Sequence, residues 1–190
     1  MKFPSPEEIA EMKARGYDMA AIEAAEIRSK REEIAWTICE KIQHAFAGVK
    51  LGNGVGLQEA QGLDDRENKE TCAALRANDE KHDWQKITGE QLNGCFSSLS
   101  FFDAEGMRFH LPAYLIADLK GKYRFGMVGQ LSRLSDYTRS QFELLSPDQR
   151  DAVRAYLRLT LEDPDCWFDR PRVEAALDVF WGGGKADEEY

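Results

Sequence analysis

From Asp18 to Gly48 the chain carries one long helical pattern, in which Ile27, Ile34, Ile38, Ile42 and Phe46 recur at steps of four and seven residues. Asp18 is placed to cap its start and Gly48 to stop it near Ala47. Whatever else the chain forms must pack against the apolar stripe of this helix. Its first half is richer in alanine and charge than its second. Residues 1–32 are therefore expected to form an N-terminal helical extension, packed on the outside of residues 33–181 or on a partner.

The chain is long enough to supply a core. At 190 residues with 43% hydrophobic side chains, it has one domain's worth of sequence, and burial of roughly 70% of the unfolded surface is within reach. Four cysteines, Cys39, Cys72, Cys95 and Cys166, show neither a C-x-x-C pair nor a nearby histidine at metal-ligand spacing. They are expected to be reduced and mostly buried, with no zinc site. Mean hydropathy is −0.54. No apolar run approaches the roughly 18 residues of a membrane span, and Met1–Glu8 lacks the apolar centre of a signal peptide, so a soluble, cytoplasmic protein is expected.

Short helices account for most of the remainder. Ser5-Pro6-Glu7-Glu8 starts one that ends at Gly16. Residues 57–63, 68–77, 88–93, 136–144 and about 147–161 follow, the third and last of these strengthened by Thr88-Gly89-Glu90-Gln91 and Ser146-Pro147-Asp148-Gln149. A final helix spans about 170–181, and Gly182 with the acidic residues to Tyr190 is expected to be a mobile tail. Trp84, after the charged connector 79–83, is expected to plug the edge of the core. Leu51-Gly52-Asn53-Gly54-Val55-Gly56 has three alternate glycines but neither G-x-G-x-x-G spacing nor a terminal Gly-Lys-Ser/Thr, so it is expected to be a helix-to-helix turn.

One stretch differs. Leu99–Phe102 and Met107–Leu111 flank the polar turn Asp103-Ala104-Glu105-Gly106, and Met107, Phe109 and Leu111 alternate with Arg108 and His110. That alternation predicts a β-hairpin, with Pro112 then opening a short helix through Tyr114, Leu115 and Leu119. The expected fold is mainly α with one small hairpin, a single globular domain of packed short helices.

The hairpin gathers Asp103, Glu105, Arg108, His110 and Tyr114. As an enzyme, the protein would use His110 as a general base oriented by Asp103 or Glu105. As a scaffold, it would use the carboxylates to form the turn and Arg108 to pair across strands. No H-E-x-x-H, G-x-S-x-G or cysteine-nucleophile signature accompanies the cluster. The sequence thus favours a non-enzymatic binding protein, with no cofactor and no metal.

Charge indicates the partner. With 34 acidic and 25 basic residues the net charge is −9, which opposes binding to nucleic acid and favours steering toward a basic protein. Asp64, Asp65, Glu67, Asp79, Glu80 and Asp83 are candidates for an acidic partner-binding rim, with Asp103 and Glu105 of the turn as its continuation.

Phe101-Phe102-Asp103-Ala104-Glu105-Gly106-Met107-Arg108-Phe109-His110-Leu111-Pro112-Ala113-Tyr114 resembles the central motif of an uncharacterised bacterial family, a domain of unknown function. In that family an aromatic-rich turn with Glu-Gly precedes Arg-Phe-Tyr-Leu-Pro-Ala-Tyr, so His110 stands where tyrosine is usual. Leu57–Ala60 with Leu63–Asp65, and Leu145–Val153, extend the resemblance over about residues 34–160. The family brings no activity to these residues. Small acidic bacterial proteins without a catalytic constellation are similar in kind to immunity proteins, which neutralise toxins delivered between competing bacteria. By that analogy the expected partner is a cognate basic toxin, a nuclease among the candidates, bound directly. A regulatory or scaffold protein, and an enzyme using the hairpin region, are the other two readings.

Overall fold

A computed structural model describes residues 5–182, so most of the expected acidic tail, residues 183–190, lies outside the described residues. The chain forms α1 (Pro6–Ala14), α2 (Met19–Ala45), α3 (Leu57–Asp64), α4 (Lys69–Asn78), α5 (Gly89–Gly94), α6 (Ala104–Leu119), α7 (Val128–Ser132), α8 (Asp136–Gln141), α9 (Pro147–Leu161) and α10 (Arg170–Ala176). Short 3₁₀ turns at Trp84–Lys86, Ser98–Ser100 and Pro164–Trp167 link them, and a π-helical turn, Leu177–Trp181, continues α10.

The expected β-hairpin is not formed: among the described residues there is no strand, and residues 104–119 are one helix. Asp103 starts it. The backbone there is extended, and the carboxylate accepts from the Gly106 N–H at 2.8 Å, which makes Asp103 a helix cap with Glu105 in the first turn. Met107, Phe109, His110 and Leu111 are all buried, as are Pro112 through Leu115. A helix enclosed on nearly every side has no polar face, so its sequence loses the 3.6-residue period and a chance alternation remains. Pro112 lies inside α6 rather than at a helix start.

Helix α6 is the axis of the core. The C-terminal half of α2 packs along α6 and α9, α3 packs on α4, and α10 with its π-turn closes over α7 and α9. Ile38, Ile42 and Phe46 of the long pattern enter this core. Ile27 does not: it is 62% exposed, because the first half of α2 extends past the core, where it packs on α1 and, through Arg31, pairs with Asp163 at 2.6 Å. There Ile9, Ile22 and Ala25, with Met12, make a separate small cluster, reinforced by a Lys13–Glu26 ion pair at 2.7 Å. Trp84 is buried and donates its indole N–H to the Phe46 carbonyl at 2.9 Å. Trp181 likewise donates to the Leu131 carbonyl at 2.8 Å, with the Arg150 guanidinium 5.4 Å over its ring. All four cysteines are free thiols, and Cys39, Cys72 and Cys166 are buried.

The glycine-rich segment 52–56 lies directly on the first turn of α6. A Cβ on Gly54 would stand 2.5 Å from the Gly106 nitrogen, and one on Gly106 would stand 2.5 Å from the Val55 carbonyl oxygen. Two backbones therefore touch where side chains would keep them apart. Gly106→Ala should destabilise the fold by about 1–3 kcal/mol through this overlap, although alanine is the better helix former by about 1 kcal/mol. Gly129→Ala in α7, where nothing lies within 4 Å, should be neutral or stabilising. Urea midpoints for the two variants check this, and a gain from Gly106→Ala would refute the close contact.

Candidate functional site

The glycine loop joins two helix starts, and three carboxylates and one guanidinium hold it. Gly56 begins α3 but has no side chain to cap it; Asp79, at the end of α4, does so from across the loop. Its Oδ1 accepts from Gln58 N–H at 2.8 Å and its Oδ2 from Glu59 N–H at 3.2 Å. A Cβ on Gly56 would fall 2.0 Å from that carboxylate, which requires glycine there. Glu59 Oε2 accepts from the Gly56 N–H and from Arg76, each at 2.9 Å. Arg76 also donates to the carbonyls of Gly52, at 3.0 Å, and Gly54. Asp103 Oδ1 accepts from Val55 N–H at 2.9 Å as well as from Gly106. Of the N–H groups that a phosphate loop would direct at an anion, those of Val55 and Gly56 are thus bound to the protein's own carboxylates and that of Gly54 to the Leu51 carbonyl at 3.0 Å.

The sequence-predicted rim divides accordingly. Asp79 is buried, and desolvation raises its pKa against the two backbone bonds that lower it. Glu80 Oε1 accepts from the N–H groups of Lys81, His82 and Asp83; these bonds, that from His82 foremost, hold its carboxyl below the usual range. Asp83 caps the 3₁₀ turn through Gln85 N–H at 3.1 Å, and Asp103 caps α6. These four are spent on the backbone. Asp65, Glu67 and Glu105 are exposed and Asp64 half-exposed. Gln61 donates to Asp65 at 3.2 Å, and none of these four forms an ion pair among the described residues.

The cluster expected on the hairpin is rearranged by the helix. His110, Tyr114 and Asp118 are successive one-turn steps of α6 and form a polar seam facing inward. His110 is fully buried, stacked on Phe102 at 4.4 Å with Phe109 edge-on at 5.0 Å. Desolvation lowers its pKa to about 4, against smaller opposing effects of its bond to Gly106 and the charge of Asp103. The ring is neutral, and Nδ1 lies 2.7 Å from the Gly106 carbonyl, which can only accept; the proton therefore sits on Nδ1 and leaves Nε2 a bare acceptor. Asp103 and Glu105 do not bond to the imidazole, so the expected acid–base pairing is not assembled. The Tyr114 hydroxyl is also buried without a partner among the described residues, and burial raises its pKa. Asp118 accepts from the Tyr156 hydroxyl and from Met127 N–H at 3.2 Å. Burial raises both the Asp118 and the Tyr156 pKa, so this carboxylate and hydroxyl act as a structural pair tying α6 to α9. Arg108 is half-buried, and its Nε has no hydrogen-bond partner among the described residues.

Asp118, Tyr156, Arg76 and Glu59 were not singled out from the sequence. Neither was an exposed pair, Phe96 and Phe125, whose ring centroids lie 5.8 Å apart. For the pair a signal exists: Lys120-Gly121-Lys122-Tyr123-Arg124-Phe125 is a basic, aromatic run in an acidic chain.

The class defined by these features is a helical domain built on a buried central helix, with a carboxylate-locked glycine loop at its start. More particularly, the chain belongs to DUF6714, a family of unknown function, whose model matches residues 34–181. The motif around residues 101–114 falls inside that span, and α1 with the first half of α2 falls outside it. No curated protein and no solved structure matches the chain. No helix among the described residues is long and apolar enough to cross a membrane.

His110 makes the acid limb of stability testable. Its pKa falls from 6.5 to about 4 on folding, so between those values the unfolded chain binds a proton that the fold excludes. Stability is full above pH 6.5 and falls as pH drops through that window, by about 1.4 kcal/mol per unit at most. His110→Phe should flatten the slope of urea-unfolding free energy between about pH 5 and pH 6.5, above most carboxylate titrations. An unchanged slope would show that the imidazole is not held neutral.

Proposed function

We propose that the protein is a non-enzymatic binding protein that captures a basic protein through the carboxylates its own fold leaves free, and that in a bacterial cell it serves as the immunity protein of a basic toxin. The observation that carries this reading is the division of the acidic rim. Asp64, Asp65 and Glu67 lie at the C-terminal end of α3, while Glu105 lies beside Gly52 in the loop that leads into the same helix. Helix α3 between them is eight residues long, about 12 Å along its axis. Their carboxylates project from a frame fixed by Asp79, Arg76, Glu59 and Asp103, so little ordering is required on binding. In a chain of net charge −9, such a surface accelerates encounter with a cationic partner. The Phe102-stacked, unionised His110 supports the non-catalytic reading, because a base buried at 0% exposure has no route to a substrate. The immunity role itself rests on the analogy of small acidic bacterial inhibitors.

The toxin encoded beside this gene should bind with an on-rate that falls as salt rises, since the screening length shrinks to about 3 Å at 1 M. Replacing Asp64, Asp65 and Glu67 together by lysine should slow association more than it speeds dissociation, as measured by stopped-flow mixing. A salt-independent on-rate would remove these carboxylates from the mechanism. Absence of binding to any neighbouring gene product would leave a regulatory or scaffold role as the better account.

A further inference from the structure

A continuous series of aromatic rings leads from the core to the surface. Phe102 lies 6.4 Å from Tyr114, Tyr114 meets Tyr123 edge-on at 5.0 Å, Tyr123 lies 5.7 Å from Phe125, and Phe125 lies 5.8 Å from Phe96. Phe102, Tyr114 and Tyr123 are buried, whereas Phe125 and Phe96 are 59% and 55% exposed. Two large apolar rings are thus held side by side in water on a rigid base.

The surroundings of the pair are polarised. On one side, Ser97 N–H donates to Gln61 at 3.3 Å and Gln61 donates to Asp65 at 3.2 Å, which sets the acidic end of α3 against Phe96. Burial foremost, then the charges of Asp79 and Asp65, raises the pKa of the neighbouring Cys95 thiol, consistent with that placement. On the other side, Asn93 donates to the Lys122 carbonyl at 2.7 Å and accepts from Arg124 N–H at 2.9 Å, which fixes the basic loop beside α5. Among the described residues, Asp64, Asp65, Lys122 and Arg124 form no ion pair.

We propose that this surface is a self-complementary docking face whose occupant is a second copy of the chain, with Phe96 and Phe125 on the two-fold axis and the Asp64–Asp65 flank of each copy against the Lys122–Arg124 flank of the other. A two-fold operation presents every patch to itself reversed, so a face that is acidic, apolar and basic in order meets its complement. Nucleic acid fits less well, because the aspartates would repel phosphate, and an acidic peptide would satisfy only the basic half. The apolar centre is small, so the dimer is expected to be weak and dependent on concentration.

Analytical ultracentrifugation of the full chain from about 1 μM to about 1 mM should show the mean mass rising from 21.6 kDa toward twice that value, less so at high salt. Phe125→Ser should weaken association at least about tenfold. The variant carrying Asp64→Lys and Asp65→Lys, and the variant carrying Lys122→Glu and Arg124→Glu, should each stay monomeric, while their equimolar mixture should dimerise, because both contacts are then between opposite charges. All substituted side chains except Asp64 are exposed, and circular dichroism verifies that each variant is folded. A mass of one chain at every concentration, or a mixture no more associated than its components, would overturn the proposal. These measurements need no other partner, so their outcome is separate from that of the toxin-binding test.

Discussion

One carboxylate oxygen, Oδ1 of Asp103, accepts from the N–H of Val55 and from the N–H of Gly106, which lie 48 and three residues away in the chain. Both ends matter. The bond to Gly106 satisfies an orphan donor and starts α6, the helix on which the core is arranged. The bond to Val55 seats the glycine loop on that first turn, and from this loop α3 departs. Without the glycines at 54 and 106 the two backbones could not approach closely enough to share one acceptor. A large part of the architecture therefore follows from an aspartate and two missing methyl groups.

The same economy explains how a strongly acidic chain tolerates its charge. A carboxylate placed at a helix start meets aligned N–H dipoles and loses part of its cost of desolvation. Asp79 at α3, Asp103 at α6 and Asp83 at the 3₁₀ turn are used in this way, and Glu80 collects three successive N–H groups. Arg76 opposes this accumulation of negative charge from the centre, donating to Glu59 and to loop carbonyls together. Within the expected rim, Asp64, Asp65 and Glu67 at the end of α3 and Glu105 on α6 are the carboxylates not bound to the backbone.

How much of this was legible depends on whether the signal was local. The α9 start was legible because Ser146, Pro147 and Gln149 form a capping box and first-turn proline within four residues, and both reciprocal bonds are present. The core half of α2 was legible from Ile38, Ile42 and Phe46, while Ile27 obeyed the same period and lies in water, since periodicity cannot tell a packed stripe from one that outruns its neighbours. Helix α6 was misread because burial on all sides erased its period and left the alternation of Met107, Phe109 and Leu111. The local evidence against a hairpin was Asp103 followed by Ala104 and Glu105, an N-cap with an acid in the first turn. Among the site residues, the partner of Asp79 is an amide 21 residues earlier, and nothing in its neighbourhood marks it as a cap. The glycine at position 56, bare where a capping side chain is usual, was the only trace.

The aromatic series from Phe102 to Phe96 shows how an interior governs a surface in such a small domain. Exposed phenylalanines ordinarily lose affinity through the rotamers they must give up on docking. Here each ring rests on the next, and the inner members are fixed by α6. His110 fits this arrangement because a neutral imidazole stacks on Phe102 as another flat ring would, with Nδ1 satisfied by Gly106 within its own helix. Histidine thus keeps the stacking that braces the surface pair and adds a proton acceptor that the fold holds unprotonated at neutral pH. The cost of that acceptor is paid in the core, and it makes the helix on which the glycine loop and the aromatic series stand sensitive to acid.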